Sequence, residues 1–175
     1  MGKRVELSEA AKYYATGSSI TDEAIEDVLR NTPKAIVHGG RATNAYLPPH
    51  LDKYTEDWDI FMANDAQAMA IKIEAVLDER YDGNFFEVKP ALHPGTFRVM
   101  NRVTGRPVAD VTVPDRPIPF RRLMDGINYA TLDYHVSQIK RTLALPENKF
   151  RWPKDSETLQ RIEVYKATQI NDSLI

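Results

Sequence analysis

An apolar strand that runs directly into a pair of glycines constrains the fold of this chain most strongly. Residues 35–37 are apolar, Gly39 and Gly40 follow almost at once, and residues 41–47 predict a helix that two prolines must end. A glycine pair between a strand and a helix lets the backbone approach a phosphate, and the helix N-terminus offers unpaired N–H groups. A tight turn that requires positive φ is the alternative explanation of the same pair.

A second strand carries two acidic residues on one face. Asp57 and Asp59 are two positions apart, so their side chains point the same way, while Trp58, Ile60 and Met62 take the other face. Two neighbouring carboxylates repel each other unless a cation neutralises them, and oxygen ligands suit Mg²⁺. The alternative is a pair of solvated acids at the end of a strand.

A third acid lies in the middle of a later strand, residues 108–113. Ala109, Val111 and Val113 form its apolar face, so Asp110 points to the opposite face. Strand interiors disfavour aspartate, and a cation shared with the first two acids would account for its presence. A salt bridge to one of the nearby arginines is the alternative.

Hydrophobic spacing predicts an order of helix, strand, Gly-Gly, helix, strand, helix, three strands and two helices. This order indicates an α/β (α+β) fold in which a mixed β-sheet is flanked by helices. The remaining predictions are a helix over residues 7–15, a helix capped by Thr21, a helix from Asn64 or Asp65 to Tyr81, strands over 85–88 and 96–100, a helix from Tyr129 to Leu143, and a final helix from Asp155 or Ser156.

Composition excludes several classes of protein. The 175 residues contain no cysteine, which rules out disulfides and Cys-ligated zinc and favours a reducing, cytoplasmic location. No apolar run reaches the ~18 residues of a membrane span. Residues 1–90 carry 10 basic and 16 acidic side chains, whereas residues 91–175 carry 13 and 9. The basic half contains Arg98, Arg102, Arg106, Arg121 and Arg122, which either meet an acidic acceptor or are simply solvated.

The segment HGGRATNAYL, followed by TEDWDIFM, resembles the signature of the polymerase-β-like nucleotidyltransferase superfamily. That signature is an apolar strand, Gly-Gly or Gly-Ser, a short helix and Asp-x-Asp on the next strand, with a third acid later. Asp110 stands at the position of the third acid. The stretch from Arg151 to Asp155 is similar to an Arg-x-x-Lys-Asp helix start in small members, where we expect it to dock the C-terminal helix.

The resemblance implies transfer of a nucleoside monophosphate from an NTP to a hydroxyl acceptor, with Mg²⁺ or Mn²⁺ as cofactor. Asp57, Asp59 and Asp110 would be the catalytic and metal-binding residues, and Gly39, Gly40 and Arg41 would hold the β- and γ-phosphates. The acceptor could be RNA, a protein or a small molecule. We expect residues 1–118 to form the nucleotidyltransferase core and residues 119–175 a C-terminal helical extension packed on it.

Two other classes of function stay open at this point. The first is a catalytically silent nucleotidyltransferase-fold protein that serves as a structural, assembly or regulatory module. The second is a nucleotide-sugar transferase, which also uses Asp-x-Asp with a divalent ion but does not explain Gly39 and Gly40.

Overall fold

The structure, a computed structural model, describes residues 19–173, with side chains through residue 170. Two 3₁₀ turns, Pro49–Leu51 and Pro146–Arg151, accompany the regular elements. The helices are α1 (Ser19–Arg30), α2 (Gly39–Tyr46), α3 (Ala66–Tyr81), α4 (Leu132–Ala144) and α5 (Trp152–Ser173). The strands are β1 (Ile36–His38), β2 (Trp58–Phe61), β3 (Phe86–Pro90), β4 (Thr96–Asn101), β5 (Pro107–Thr112), β6 (Phe120–Arg122) and β7 (Asn128–Ala130).

The seven strands form one mixed sheet in the order β3-β4-β5-β2-β1-β7-β6. Strand β2 pairs antiparallel with β1 and parallel with β5, and β1 pairs parallel with β7. Strands β3, β4 and β5 follow one another as an antiparallel meander. The predicted fold class, a mixed sheet with flanking helices, is confirmed.

The main core lies between one face of the sheet and helices α1 and α3. Ile25 of α1 and Ile73 of α3 are fully buried, and Ile60 and Val111 meet them from the central strands. Because side chains alternate along a strand, the polar neighbours of these core residues point to the opposite face. The core therefore decides which face of β2 and β5 carries the acids.

Two short strands at one end of the sheet were missed by the sequence analysis. Tyr129 lies in β7, and the helix predicted from that residue begins at Leu132, where Thr131 caps it by accepting a hydrogen bond from the Tyr134 N–H. The hairpin between β6 and β7 turns at Asp125-Gly126, a sequence that favours hairpin turns. β6 and β7 both follow residue 118 and belong to the same sheet as β1 to β5.

Helix boundaries differ from the sequence predictions at two more places. Ser19, the first residue that the structure describes, is already helical, so the predicted cap Thr21 lies inside α1, where it is buried with its hydroxyl 2.8 Å from that of Tyr81. α5 begins at Trp152 because the preceding 3₁₀ turn continues directly into it. The helix predicted over residues 7–15 lies outside the described residues. Within the part of the chain that is described, no helix is long and apolar enough to cross a membrane.

Candidate active site

The three candidate acids lie on one face of the sheet, on adjacent parallel strands. Asp59 of β2 is in register with Asp110 of β5, and Asp57 precedes β2 with the same side-chain parity as Asp59. All three residues are half-buried. The arrangement places Asp59 between the other two carboxylates.

The electrostatics of the site centre on Asp59. Burial, reinforced by the negative charges of Asp57 and Asp110, raises the pKa of Asp59 to about 7. Lys154 and Arg151 act in the opposite direction and favour its ionised form. The ionised form of Asp59 is therefore disfavoured unless positive charge is added nearby.

Asp110 already has a cationic partner in this structure. Arg98 of β4 donates from Nε to Oδ1 at 2.8 Å and from its terminal nitrogen to Oδ2 at 3.0 Å. Both carboxylate oxygens of Asp110 are therefore engaged, as the salt-bridge alternative for this residue predicted. Within residues 19–173, no group of three histidine, aspartate or glutamate side chains is placed to hold a metal ion.

Close packing against Asp59 and Thr55 accounts for the two glycines. Gly39 has φ +68°, and a Cβ added there would overlap Oδ2 of Asp59. A Cβ on Gly40 would come within 2.6 Å of the Thr55 side chain. Both contacts are shorter than those that real Cβ atoms make. Both positions therefore require glycine, so that Asp59 and Thr55 can approach the start of α2.

The backbone N–H of Gly39 is occupied by a histidine from α4. It donates to Nε2 of His135 at 3.1 Å, which requires the proton of the ring to lie on Nδ1, where it is donated to the Thr131 carbonyl at 3.0 Å. Burial lowers the pKa of His135 to about 4, so the ring is neutral at physiological pH. Of the predicted phosphate-binding pair, the N–H of Gly40 lies in the first turn of α2 and has no partner inside the helix.

Arg41 is bonded in this structure to groups other than the acidic side chains of the site, and its predicted role in phosphate binding stays a prediction. Its guanidinium makes two hydrogen bonds to the Asp22 carboxylate, at 2.8 and 3.0 Å, and lies 4.5 Å from the centre of the Trp58 ring. It also donates to the carbonyl of Glu56. These contacts dock α2 onto α1, and they lie in a second cavity on the other side of α2.

Asp57 and Asp59 open into a cleft of about 940 Å³ between the sheet and the C-terminal helices, whereas Asp110 is not among the residues that line it. Asp57 and Asp59 line one wall, and Tyr134 of α4 and Lys154 of α5 line the other. Four buried side-chain atoms among the described residues lack a hydrogen-bond partner, and all four belong to residues that line this cleft: His38 Nε2, Thr55 Oγ1, Asp155 Oδ2 and Arg161 Nε. Buried polar atoms without partners are uncommon, so their concentration here indicates a site built for polar contacts.

Arg151 and Lys154 were not among the predicted site residues. The sequence analysis assigned the Arg-x-x-Lys-Asp stretch to docking of the last helix. Asp155 fits that role, since it is buried and forms an ion pair with Arg151 at 3.6 Å. Lys154 is exposed and faces the acids across the cleft. The motif therefore supplies both a docking residue and a cationic group within the cleft.

The arginines of the basic half do not form one surface. Arg98 lies beside the acids, whereas Arg102 and Arg106 form ion pairs with Glu87 and Glu56. Arg121 and Arg122 are exposed on β6, the last strand at the opposite end of the sheet. Only Arg98 of this set is positioned to influence the acidic site directly.

Comparison with known proteins supports the fold assignment. No family model matches the sequence, and no curated protein matches it. Among solved structures, the crystal structure of the Megavirus polyadenylate synthase matches with a TM-score of 0.72 at 17% sequence identity, covering 94% of this chain and 35% of that chain. The chain thus spans about a third of the length of that structure. The likeness shows that the chain shares its fold with that part of the polyadenylate synthase structure.

Proposed function

We propose that this protein is a metal-dependent nucleotidyltransferase that moves a nucleoside monophosphate from an NTP to a hydroxyl acceptor. The observation that carries the proposal is the register of Asp59 beside Asp110, with Asp57 on the same face and with Asp57 and Asp59 lining a cleft. In this assignment the cleft lies between the acid-bearing face of the sheet and the C-terminal helices α4 and α5.

The donor set suits Mg²⁺ or Mn²⁺. Asp57 and Asp59 offer carboxylate oxygens, and among the described residues neither side chain has an ion-pair partner. The raised pKa of Asp59 reflects a need for positive charge that a divalent cation would meet. Asp110 would join them once Arg98 releases it. A bound cation would supply charge neutralisation and would lower the pKa of the acceptor hydroxyl.

The reaction is an in-line displacement at the α-phosphorus of the NTP. The acceptor oxygen forms a bond to that phosphorus, the bond from the phosphorus to the β-phosphate oxygen breaks, and pyrophosphate leaves. Asp110 is the group assigned to take the proton of the acceptor hydroxyl, because it lies in register beside Asp59 on the adjacent strand. Asp57 and Asp59 hold the reacting groups in place.

The triphosphate is assigned to the opposite wall of the cleft. Lys154 and Arg151 are exposed there, and their charges act on Asp59 across the gap. The N–H of Gly40 at the start of α2 adds a backbone donor. This set replaces Gly39 and Arg41, whose donors are bonded elsewhere.

A catalytically silent module is the second candidate function. Its support is specific: Arg98 occupies both oxygens of Asp110, and no three ligand side chains in the described part of the chain are arranged around a metal position. A silent protein would keep the fold and the ion pair, but divalent cations and NTPs would not raise its thermal stability.

The test is incubation of the protein with each labelled NTP and Mg²⁺ or Mn²⁺, with RNA and protein offered as separate acceptors. We expect label in one acceptor fraction, and we expect Asp59→Asn to reduce the rate by on the order of 10³-fold or more. Asp115→Asn is the matched control, because Asp115 is exposed and pairs with Arg116 outside the cleft. Absence of label in every fraction, with no effect of NTP on thermal stability, would favour the silent module.

A further inference from the structure

One residue from each of five adjacent strands forms a row across the face that carries the acids. Lys89 is in register with Arg98, Arg98 with Asp110, Asp110 with Asp59, and Asp59 with His38. Side chains in register on neighbouring strands point to the same face. The row therefore places Arg98 directly beside Asp110, with Lys89 one strand further from the acids.

Arg98 is the cation that balances the acidic site in this structure. Its fork makes two hydrogen bonds to Asp110, and this contact, with the added charges of Asp57 and Asp59, raises the pKa of Arg98. Its side chain is 40% exposed, whereas that of Asp110 is 18% exposed. The guanidinium thus lies at the open side of the pair, where an external anion can reach it.

The same contact competes with any use of Asp110 as a ligand or base. A carboxylate whose two oxygens both accept from one guanidinium has two of its four lone-pair sites occupied, and the neighbouring positive charge opposes binding of a further cation or proton. Release of Arg98 without a replacement anion would leave an unpaired, partly desolvated guanidinium. A phosphate is the natural replacement, because the planar fork of arginine binds phosphate and carboxylate in the same bidentate manner.

We infer that Arg98 recognises the phosphodiester next to the terminal hydroxyl of a nucleic-acid acceptor and thereby releases Asp110 for catalysis. Lys89 adds a second positive charge along the same row; it is 61% exposed and forms an ion pair with Glu87 at 3.3 Å. A protein hydroxyl or an uncharged small molecule would bring no anion to take over the guanidinium. The inference rests on the proposed function and selects nucleic acid among its acceptors.

The first test measures Mn²⁺ binding by calorimetry on the full chain without NTP or acceptor. Arg98→Met should bind Mn²⁺ about tenfold more tightly than the wild type, since one charge-pair interaction near a carboxylate is worth about a pKa unit. Arg102→Met is the matched control, because Arg102 follows the same strand and pairs with Glu87 instead of Asp110. Unchanged or weaker Mn²⁺ binding by a folded Arg98→Met would overturn the inference.

The second test measures whether an acceptor and Mn²⁺ assist each other. In the wild type, a five-nucleotide RNA should tighten Mn²⁺ binding severalfold, after subtraction of Mn²⁺ bound by the RNA, whereas adenosine should have no effect. Arg98→Met should lose this coupling and should lower the log–log salt slope of RNA binding by about 0.7. Arg98→Lys keeps the charge without the planar fork, so its coupling and its salt slope should lie between those of the wild type and Arg98→Met. This variant replaces Arg98→Met in the test if the methionine variant does not fold.

These measurements separate the inference from the proposed function because neither requires turnover. Coupling that is present in the wild type and lost in Arg98→Met supports the role of Arg98 even if no transfer is detected. Nucleotide transfer to RNA with no coupling in the wild type, and with full activity in Arg98→Met, overturns the role of Arg98 and leaves the proposed function standing.

Discussion

The two sides of helix α2 differ in how completely their polar groups are paired. On one side, Arg41 meets Asp22, the Trp58 ring and a backbone carbonyl, and the Trp58 N–H also donates to Asp22. On the other side, Asp59 lies beside the like charges of Asp57 and Asp110, and four buried polar atoms of the cleft residues lack a hydrogen-bond partner. The first side has the chemistry of a structural contact, and the second is the side to which we assign the proposed nucleotide site.

The contrast predicts opposite effects of removing charge on the two sides. A structural ion pair stabilises the fold, so its loss lowers the free energy of unfolding. A site that places acids together without a cation destabilises the fold, so removal of a charge there raises it. The following variants test this contrast, from the largest expected effect to the smallest.

Asp59→Asn should raise the free energy of unfolding of the metal-free protein, and more so at high pH. The folded-state pKa of about 7 lies above the ordinary value of 3.8, so the folded wild type binds more protons between these values and loses stability as pH rises through them. The variant lacks this loss. We expect the free energy of unfolding of Asp59→Asn to exceed that of the wild type by roughly 3 kcal/mol at pH 8, and we expect this difference to vanish below pH 4.

Denaturant unfolding of both proteins at pH 4 and pH 8, with chelator present, measures this difference. The histidines titrate in both proteins, so their contributions cancel in the comparison. Asp115→Asn is the control and should show no such rise, because the Arg116 ion pair lowers the pKa of Asp115. A difference between wild type and Asp59→Asn that is the same at both pH values would show that Asp59 is an ordinary solvated acid.

Arg41→Met should lower the free energy of unfolding by about 2 kcal/mol, because it leaves the partly buried Asp22 carboxylate without its bidentate partner. Arg121→Met, on the exposed strand β6, should change it by less than about 0.5 kcal/mol. Chemical denaturation at pH 7 gives both values. Weakened NTP binding by a fully folded Arg41→Met would instead restore the phosphate-binding role that the sequence predicted for this residue.

His135→Ala should lower the free energy of unfolding by about 1 kcal/mol at pH 7, because it leaves the Gly39 N–H without its acceptor. The wild-type histidine has a folded pKa of about 4, below its ordinary 6.5, so its contribution is complete above pH 6.5 and is lost as pH falls towards 4. The gap between wild type and variant should therefore narrow on acidification. The free energy of unfolding of His50→Ala, a change on an exposed turn, should differ little from that of the wild type at every pH.

The central part of the site could be predicted from the sequence because strands alternate with a period of two. Trp58 and Ile60 had to enter the core, so Asp57 and Asp59 had to share the other face. The apolar positions around Asp110 fixed its face in the same way. The parallel pairing of β2 with β5 then brought Asp59 and Asp110 into register, which is a property of the whole sheet.

The partners of the charged residues could not be predicted, because they depend on how distant elements pack. Arg41 follows the glycines in sequence, but α1 places Asp22 within its reach on the other side of the helix. Arg98 reaches Asp110 across the β4–β5 hairpin, and Lys154 enters the cleft only because α5 packs beside α4. Strands β6 and β7 have three residues each, too short for a periodic signal, although Asp125-Gly126 marked their turn.

The most direct test of the account is equilibrium binding of a non-hydrolysable ATP analogue in the presence of Mn²⁺, measured by calorimetry. The wild type should bind the complex, and Asp59→Asn and Lys154→Met should each weaken binding by about tenfold or more, because they remove charges from the two walls of the cleft. Arg41→Met and Asp115→Asn should bind like the wild type. Absence of binding by the wild type, or equal binding by Asp59→Asn and Lys154→Met, would contradict the assignment of the cleft as a nucleotide site.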